Sequence, residues 1–384
     1  MTWIRNRPLG LVYRDPALSE GGYTLFCSVR GHTATLLDPE GRVVHRWHHP
    51  QGIQHLHLLE NGNLLIQTLP PEDAGGAEQI GGSAEVLAEL DWESRVVWEY
   101  RDVLMHHDYV RMGDGHHLVV AWDKLPEELN HRVQGGHHVE DDPRPMWADV
   151  VKEIDPAGEI VREWRSWEHL SFEEDRICPL ESHKEWTHTN SIDLTPEGDW
   201  LMSFRLTDTV ALIDGRSGEV KWRWGPGELS HQHCASWLEN GHLLLFDNGC
   251  HRRRAPTFSR VVEFDPEKRE IVWNYLDRTI LGFYSFMGSG CERLASGNTF
   301  ITESATGRMF EVTPERETVW EWVSPWVLPS RFGPTPAVFR AHRIAADDPR
   351  LAGRSPSPEP YETLNRRIAA HEVLGEEDDA CPED

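Results

Sequence analysis

The 384-residue sequence has no long apolar segment and no recognisable export signal. No stretch approaches the roughly 18 consecutive apolar residues that a membrane-spanning helix needs. The first residues, MTWIRNRPLGLVYRDP, contain no apolar core of signal-peptide length. The six cysteines form no CxxC pair and show no disulfide-like spacing. These absences argue against membrane association and predict a reduced, cytoplasmic protein.

Basic residues are scarce relative to acidic ones. The 38 Lys and Arg residues are opposed by 64 Asp and Glu residues, which gives a net charge of −26. A field of this sign repels phosphate backbones, so a nucleic acid is not expected as a partner. The sequence does not indicate an oligomeric state. We therefore look for a small-molecule function.

A hairpin unit recurs six times along the chain. It reads D-P-x-G-x-h-V-x-x-W, where h is apolar, and its copies end at Trp47, Tyr100, Trp164, Trp224, Tyr275 and Trp322. The turn residues and the period-two alternation predict two antiparallel strands for each copy. Many of the 17 tryptophans stand in the second of these strands. We expect them to pack between neighbouring units.

A second repeated unit, x-x-x-L-x-x-G-N-h-L-h, fills the gaps between these hairpins. Its five copies lie around Gly62, Gly115, Gly198, Gly241 and Gly297. Together the two units give four strands per repeat, which is the composition of a propeller blade. The sequence therefore predicts an all-β fold, a six-bladed β-propeller with four-stranded blades.

The two ends of the repeat region supply one blade between them. GGYTLFCSV near the start lacks a preceding strand, and AVFRAHRI near the end lacks a following one. Pairing them closes the ring and removes two exposed strand edges. We accordingly predict an N-terminal arm (1–20), a propeller (21–346) and an acidic, disordered tail (347–384). Within the propeller, we expect a surface loop at 123–148 and a short helix in the insertion at 165–186.

Histidines stand just ahead of the first strand in several blades. First strands line the channel of a propeller and start at the same end, so these positions should converge at the channel mouth. Alignment on the glycine turns places there Gln54–His55, His106–His107, His188, His233, Ser289 and His342. Arg205 ends the strand pair that His188 begins. Imidazoles with one guanidinium suit an oxyanion such as sulfate, phosphate or carboxylate.

The motifs HHD (106–108), WTHTNSI (186–192), HQH-A (231–235) and FDNG followed by arginines (246–254), with the Arg205 strand, carry a resemblance. Over roughly 21–346 the chain resembles the aryl sulfotransferases, six-bladed propellers that move a sulfuryl group between phenols without a nucleotide sulfate donor.

The resemblance implies roles for individual residues. His233 would be the histidine that is transiently sulfated, and His188 and Arg205 would hold the sulfuryl oxygens. His107 would assist proton transfer to and from the phenol. Further contacts to a small anionic or aryl substrate are expected from the side chains of His231, His342, His55, Arg252 and Trp186. No cofactor is expected for this chemistry.

Two other functions fit the same residues. A metal-dependent lyase or hydrolase could hold Zn²⁺ or another divalent metal through channel imidazoles, with Asp108 behind them. Its candidate ligands are His106, His107, His188, His233 and His342. The nearby Arg205 cation disfavours that interpretation. A propeller that binds a ligand without chemistry is the third possibility.

Overall fold

The computed structural model describes residues 7–70, 80–140, 142, 145–253, 255–330 and 333–379. Strands dominate, and six small antiparallel sheets form a six-bladed β-propeller, as predicted. Each blade has four main strands, which pair side by side in order from the first to the fourth. Blade 1 consists of Val338–Ile344, Tyr23–Ser28, Thr33–Leu37 and Val43–His48; blade 2 of His55–Leu58, Leu64–Gln67, Val86–Leu90 and Val96–Arg101; blade 3 of Met105–Arg111, His117–Lys124, Trp147–Ile154 and Ile160–Arg165; blade 4 of Thr189–Leu194, Trp200–Phe204, Thr209–Ile213 and Val220–Trp224; blade 5 of His233–Trp237, Leu243–Asp247, Arg260–Asp265 and Glu270–Tyr275; blade 6 of Gly290–Arg293, Thr299–Glu303, Arg308–Val312 and Thr318–Val323.

Blade 1 is completed by the strand Val338–Ile344, which confirms the predicted closure. This strand pairs antiparallel with Tyr23–Ser28, and Tyr23 lies opposite Ile344. Every residue of Tyr23–Ser28 except the first is buried. The pairing satisfies backbone groups on both segments that would otherwise form exposed edges.

Tryptophans at the ends of fourth strands join neighbouring blades. The indole N–H of Trp164 donates to the carbonyl of Gly218 at 2.9 Å, and that of Trp322 donates to the carbonyl of Gly41 at 3.2 Å. Both acceptors lie in the hairpin turn of the following blade, and both rings are buried. The tryptophan and the turn glycine of the repeated hairpin therefore form one recurring contact.

The chain divides into two compact units. One comprises 1–69, 87–99 and 287–384, and the other comprises 70–86 and 100–286. In the first, a hydrophobic core gathers around Phe26, Trp320 and Trp322. In the second, a core gathers around Leu118, Trp186 and Met202. Each unit buries its own apolar side chains.

The N-terminal segment joins a blade instead of forming a separate arm. Strand Gly10–Arg14 pairs antiparallel with Thr318–Val323 and becomes a fifth strand of blade 6. Its alternating residues Leu11 and Tyr13 allow this pairing. Residues 1–6 lie outside the described part.

The insertion at 123–148 is more ordered than the predicted surface loop. A 3₁₀ helix covers Glu127–Arg132, and the short strand Gly135–His137 pairs in parallel with Ile177–Ser182. Leu125 and Val133 are buried in the core of the second unit. These apolar residues anchor the segment. The second insertion contains the predicted short helix, Ser166–His169, and the strand Glu185–Trp186, which pairs in parallel with Trp147–Ile154.

The acidic tail is ordered over 347–379, contrary to the prediction of disorder. It contains 3₁₀ helices Pro349–Leu351 and Glu359–Tyr361 and α-helices Glu362–Ala369 and Glu376–Asp379. Ile368 and Leu374 are buried in the core of the first unit, which gives the tail a packing partner despite its polar composition. Residues 380–384 lie outside the described part.

The remaining 3₁₀ turns span Ile280–Gly282 and Ser304–Thr306. Within the described ranges, no helix has both the length and the apolar composition to cross a bilayer.

Candidate active site

The first strands of blades 3, 4 and 5 begin with irregular backbone. Their pairing with the second strand shifts register, and His107, His188 and Cys234 adopt left-handed φ angles of 53°, 56° and 53°. Such conformations cost about 1–3 kcal/mol each in non-glycine residues and cluster at functional sites. A bulge also re-aims side chains at the end of a strand. The repeated distortion therefore marks this position as functional.

His107 and His188 lie against each other in the second unit. Their ring centroids are 4.5 Å apart in an edge-to-face arrangement. Burial lowers the pKa of His107 well below its ordinary value, and the nearby His188, His106, His233 and Arg205 lower it further. The same influences show that these five side chains form one electrostatic cluster. His107 is therefore neutral near pH 7.

Gly82 provides the space for the His107 ring. The His107 N–H donates to the Gly82 carbonyl at 2.8 Å. A Cβ at Gly82 would lie 2.1 Å from His107 Cε1, and the φ of Gly82 is +88°. Only glycine satisfies both the space and the backbone conformation at this point.

The buried Asp149 carboxylate orients His106 behind His107. Asp149 accepts hydrogen bonds from the Thr187 hydroxyl and the Thr189 N–H, and its Oδ1 lies 3.2 Å from His106 Nε2. Burial alone would raise the pKa of Asp149, but these neighbours outweigh burial and lower it. The carboxylate favours a proton on His106 Nε2. His106 Nδ1, 2.9 Å from His107 Nδ1, is then the acceptor, so His107 carries its lone pair on Nε2.

Glu185 holds His188 from the other side. Glu185 Oε1 lies 2.7 Å from His188 Nδ1, and Glu185 Oε2 accepts from the Trp122 indole at 3.0 Å. Burial and the nearby Asp149 carboxylate raise the pKa of Glu185 to about 8. Burial and then Arg205 lower the pKa of His188 well below its ordinary value. At neutral pH, protonated Glu185 therefore donates to His188 Nδ1 and leaves an N–H on His188 Nε2.

Arg205 is oriented by Glu181. Its Nη1 lies 3.1 Å from Glu181 Oε1, and its backbone N–H donates to the His188 carbonyl at 3.1 Å. Glu181 Oε1 also lies 2.9 Å from His231 Nε2. Burial alone would raise the pKa of Glu181, but His231 and Arg205 outweigh it and bring the value to about 2. Arg205 therefore adds a fixed cation beside neutral imidazoles.

His233 has a defined tautomer. Its Nδ1 faces two oxygens, Asn248 Oδ1 at 2.8 Å and the His231 carbonyl at 3.1 Å. The Asn248 amide is oriented because its Nδ2 donates to the Ser285 carbonyl at 2.9 Å. The proton of His233 must therefore sit on Nδ1. The lone pair of the imidazole is on Nε2, where a nucleophile needs it.

His231, two residues earlier, has a different environment. Its Nε2 faces Glu181, and its Nδ1 lies 3.1 Å from Asp208 Oδ1. Its Nε2 therefore carries a proton, and the lone pair of the neutral ring is on Nδ1, which is buried beside Asp208 without a hydrogen bond among the described residues. This enclosed lone pair separates His231 from His233 as a candidate nucleophile.

The other predicted substrate contacts each have their own partners. Trp186 is fully buried and stacks on Phe172 at 4.6 Å, which is the environment of a core residue. Arg252 is paired with Asp247 at 2.6 Å. Their environments argue against a role in substrate binding. His55 and His342 belong to the first unit, where they lie with His57.

Potential metal ligands come together in groups that differ from the set named in the sequence analysis. In the described part of the chain, two groups of potential ligands come together: His55, His57 and His342, and Cys178, His231 and His251. Neither contains His106, His107, His188 or His233.

Several residues that contact the predicted histidines were not identified from the sequence alone. Glu185 stands next to the WTHTNSI motif, and Asn248 lies within FDNG, so their motifs carried a signal that pattern reasoning left unused. His57 alternates with His55 on one face of a strand and could have been found by period two. Glu181 and Gly82 gave no signal, because Glu181 lies on the inserted strand Ile177–Ser182 and Gly82 lies in a turn, both outside the repeated units.

The chain is similar to known proteins in family and in fold. The arylsulfotransferase (ASST) family model matches residues 28–324. A solved protein of unknown function from Bacteroides caccae is similar at a TM-score of 0.52 and 12% identity, covering 84% of this chain and 98% of that chain. Virginiamycin B lyase from Staphylococcus aureus gives a TM-score of 0.46 and 11% identity, covering 83% and 86%.

Identities this low reflect the fold alone, and no curated protein sequence matches the chain. The family match spans well over half of the sequence and includes the motifs at 106–108, 186–192, 231–235 and 246–254. The chain therefore belongs to the arylsulfotransferase family, which supports aryl sulfuryl transfer as its general activity.

Proposed function

We propose that the protein transfers a sulfuryl group from an aryl sulfate to a phenolic acceptor through a sulfo-histidine at His233. The observation that carries this proposal is the pair of acceptors at His233 Nδ1, which puts the lone pair on Nε2. The remaining residues of the cluster supply complementary groups. A cytoplasmic location and a small anionic or aryl substrate stay predictions.

In the first step, His233 Nε2 attacks the sulfur of the aryl sulfate. An N–S bond forms, the S–O bond to the aryl group breaks, and its electron pair leaves on the phenolate oxygen. The proton on Nδ1 stays hydrogen-bonded to Asn248 Oδ1, and this hydrogen bond stabilises the positive charge that develops on the imidazole. The oxidation state of sulfur does not change, so the step needs no redox partner.

Arg205 and His188 stabilise the oxygens of the transferred group. Arg205 offers a cationic fork, and protonated Glu185 keeps His188 as a donor through Nε2. Charge on the sulfuryl oxygens develops where these donors are already oriented, so little reorganisation is needed during reaction.

In the second step, an acceptor phenol attacks the sulfur of sulfo-His233. The N–S bond breaks, and its electron pair returns to Nε2. His107 Nε2 takes the phenol proton, because His106 holds the other ring nitrogen as a donor. The proton then passes to the departed phenolate, so one phenol and one aryl sulfate are exchanged for another pair.

The test replaces His233 by Ala. We expect turnover of an aryl sulfate to fall by roughly four to six orders of magnitude, as loss of a covalent nucleophile does. The wild-type protein, incubated with the donor and quenched at alkaline pH, should carry one sulfuryl adduct on His233 by mass spectrometry.

His231→Ala and His242→Ala serve as controls. His231→Ala should reduce turnover moderately, because it removes a partner of Glu181, the carboxylate that orients Arg205. His242→Ala should leave turnover unchanged, because His242 pairs with Glu263 outside the cluster. Turnover that survives His233→Ala would end the proposal. A folded wild-type protein without turnover on any aryl sulfate would favour a non-catalytic binding propeller.

A further inference from the structure

A second histidine cluster lies in the first unit, and none of its members takes part in the proposed sulfuryl transfer. His55 and His57 alternate on one strand, and His342 comes from the first strand of blade 1. The ring of His57 is 4.6 Å from those of both His55 and His342 by centroid. One nitrogen from each ring lies within 4.8 Å of the other two.

His342 is oriented like a metal-ligating histidine. Its Nδ1 lies 2.5 Å from Glu292 Oε1, and Glu292 Oε2 accepts from the backbone N–H of Arg343 at 2.9 Å. The Glu292 carboxylate favours the proton on His342 Nδ1, as carboxylates behind metal-ligating histidines do.

This orientation leaves His342 Nε2 as a buried acceptor. Within the part of the chain that the structure describes, that atom has no hydrogen-bond partner. A buried lone pair without a donor is destabilising, so its occurrence calls for an explanation. A cation bound at Nε2 would supply the missing partner.

We propose that His55, His57 and His342 bind a divalent transition-metal ion of the Zn²⁺ class. Three imidazoles suit zinc and its neighbours in the series, whereas Mg²⁺ and Ca²⁺ prefer oxygen ligands. Zn–N bonds of about 2.0–2.1 Å require ligand nitrogens about 3.4 Å apart, so the three rings need to close by roughly an ångström. Three protein ligands leave a fourth position for water or an anion.

Arg340 influences which kind of ligand can occupy the fourth position of the metal ion. Its Nη1 lies 3.4 Å from His55 Nε2, a long contact that is easily exchanged for a metal bond. This guanidinium opposes a cation at the site, so the positive charge has to be balanced by an anionic fourth ligand. The Glu292 carboxylate compensates part of the positive charge from behind His342.

The experiment measures zinc bound to the full-length protein. After chelation and dialysis, the protein is titrated with Zn²⁺ alone, and bound metal is determined by mass spectrometry. We expect one equivalent in the wild type and its loss in His57→Ala and His342→Ala. Glu292→Gln should weaken binding by roughly 10- to 100-fold, the usual effect of removing the partner that orients a ligating histidine.

Matched variants separate this site from other sources of binding. His116→Ala removes a half-buried histidine that pairs with Glu153 on a turn, and Cys178→Ser removes a ligand of the other cluster. Both should keep the equivalent of zinc. Circular dichroism checks folding, and the partly exposed His57 keeps the test valid if His342→Ala fails to fold.

Two results would overturn the metal site. The first is a folded wild type that binds no stoichiometric zinc. The second is binding that persists in His57→Ala and disappears in Cys178→Ser. Neither depends on sulfuryl transfer, so this inference and the proposed function can fail separately.

Discussion

At the scale of single residues, the cluster assigns a different proton position to each of three histidines. Asn248 leaves a lone pair on Nε2 of His233, His106 does so for His107, and Glu185 leaves an N–H on Nε2 of His188. In the proposed mechanism, the same type of side chain thus serves as a nucleophile, a base and a hydrogen-bond donor. Their neighbours, and not their positions in the repeat, produce the difference.

Glu185 leads to a prediction about pH. Its pKa of about 8 means that it is protonated below that pH and ionised above it. Once ionised, Glu185 accepts a hydrogen bond from His188, so the proton of the neutral imidazole sits on Nδ1 and Nε2 carries the lone pair. We therefore expect wild-type turnover to decline as pH rises through about 8. Glu185→Gln, whose amide donates to Nδ1 at every pH, should retain turnover above that point, measured as kcat/KM from pH 6 to 9.

A similar glutamate provides the control for this experiment. Glu263 lies 2.7 Å from His242 Nδ1, outside the cluster, so Glu263→Gln should keep the wild-type profile. An unchanged decline in Glu185→Gln would show that another group controls the alkaline limb.

The residue scale also shows where sequence reasoning ends. Alignment on the glycine turns predicted His107, His188 and His233 as site residues, because each stands at or near the start of the first strand of its blade. It could not separate His233 from His231, since the distinguishing carboxylates come from 181 and 208. Trp186 was predicted to contact the substrate, but its ring lies in a hydrophobic core. In a sequence, an aromatic residue within a motif looks the same whether it faces the core or a ligand.

At the scale of elements, the tail shows how a polar composition can hide a docked helix. Glu362–Ala369 has few apolar residues, but Leu364 and Ile368 stand four apart and face one core. Such a short apolar stripe is too weak to recognise in a Pro-rich and acidic context. The insertion at 123–148 is a similar case, because Leu125 and Val133 are isolated in the sequence and buried in the fold.

The docked helix makes a testable claim about stability. Ile368 is 3% exposed and Val373 is 63% exposed. Ile368→Ala should lower the free energy of unfolding by about 2–5 kcal/mol, as buried large-to-small substitutions do. Val373→Ala should change it by less than about 0.5 kcal/mol. Equal values from urea titrations of the two variants would contradict docking of the tail.

At the scale of the whole molecule, the repeated units predicted six blades because each copy carries its own turn and alternation. The closing strand was predictable as well, since each end of the repeat region lacked half a blade. The ordering of the segments outside the repeats was not. Their contacts depend on surfaces that exist only after the blades have folded.

Ring closure can be tested by comparing two truncations. Ending the chain after Ile344 removes the tail and keeps the closing strand, whereas ending it before Pro336 removes both. We expect the first protein to melt cooperatively at a reduced temperature and the second to lose its cooperative transition. Identical melting curves by calorimetry would argue against closure by Val338–Ile344.

The seam in blade 1 also sets an order of events during synthesis. Tyr23 can pair with Ile344 only after the ribosome has added roughly 320 further residues. At about 5–20 residues per second, this delay is roughly 15 to 60 s. Throughout it, Tyr23–Ser28 has no partner along the edge that Val338–Ile344 will cover, while the blades between can already form. The nascent chain is therefore most exposed to mispairing at its first blade, until one of its last strands is translated.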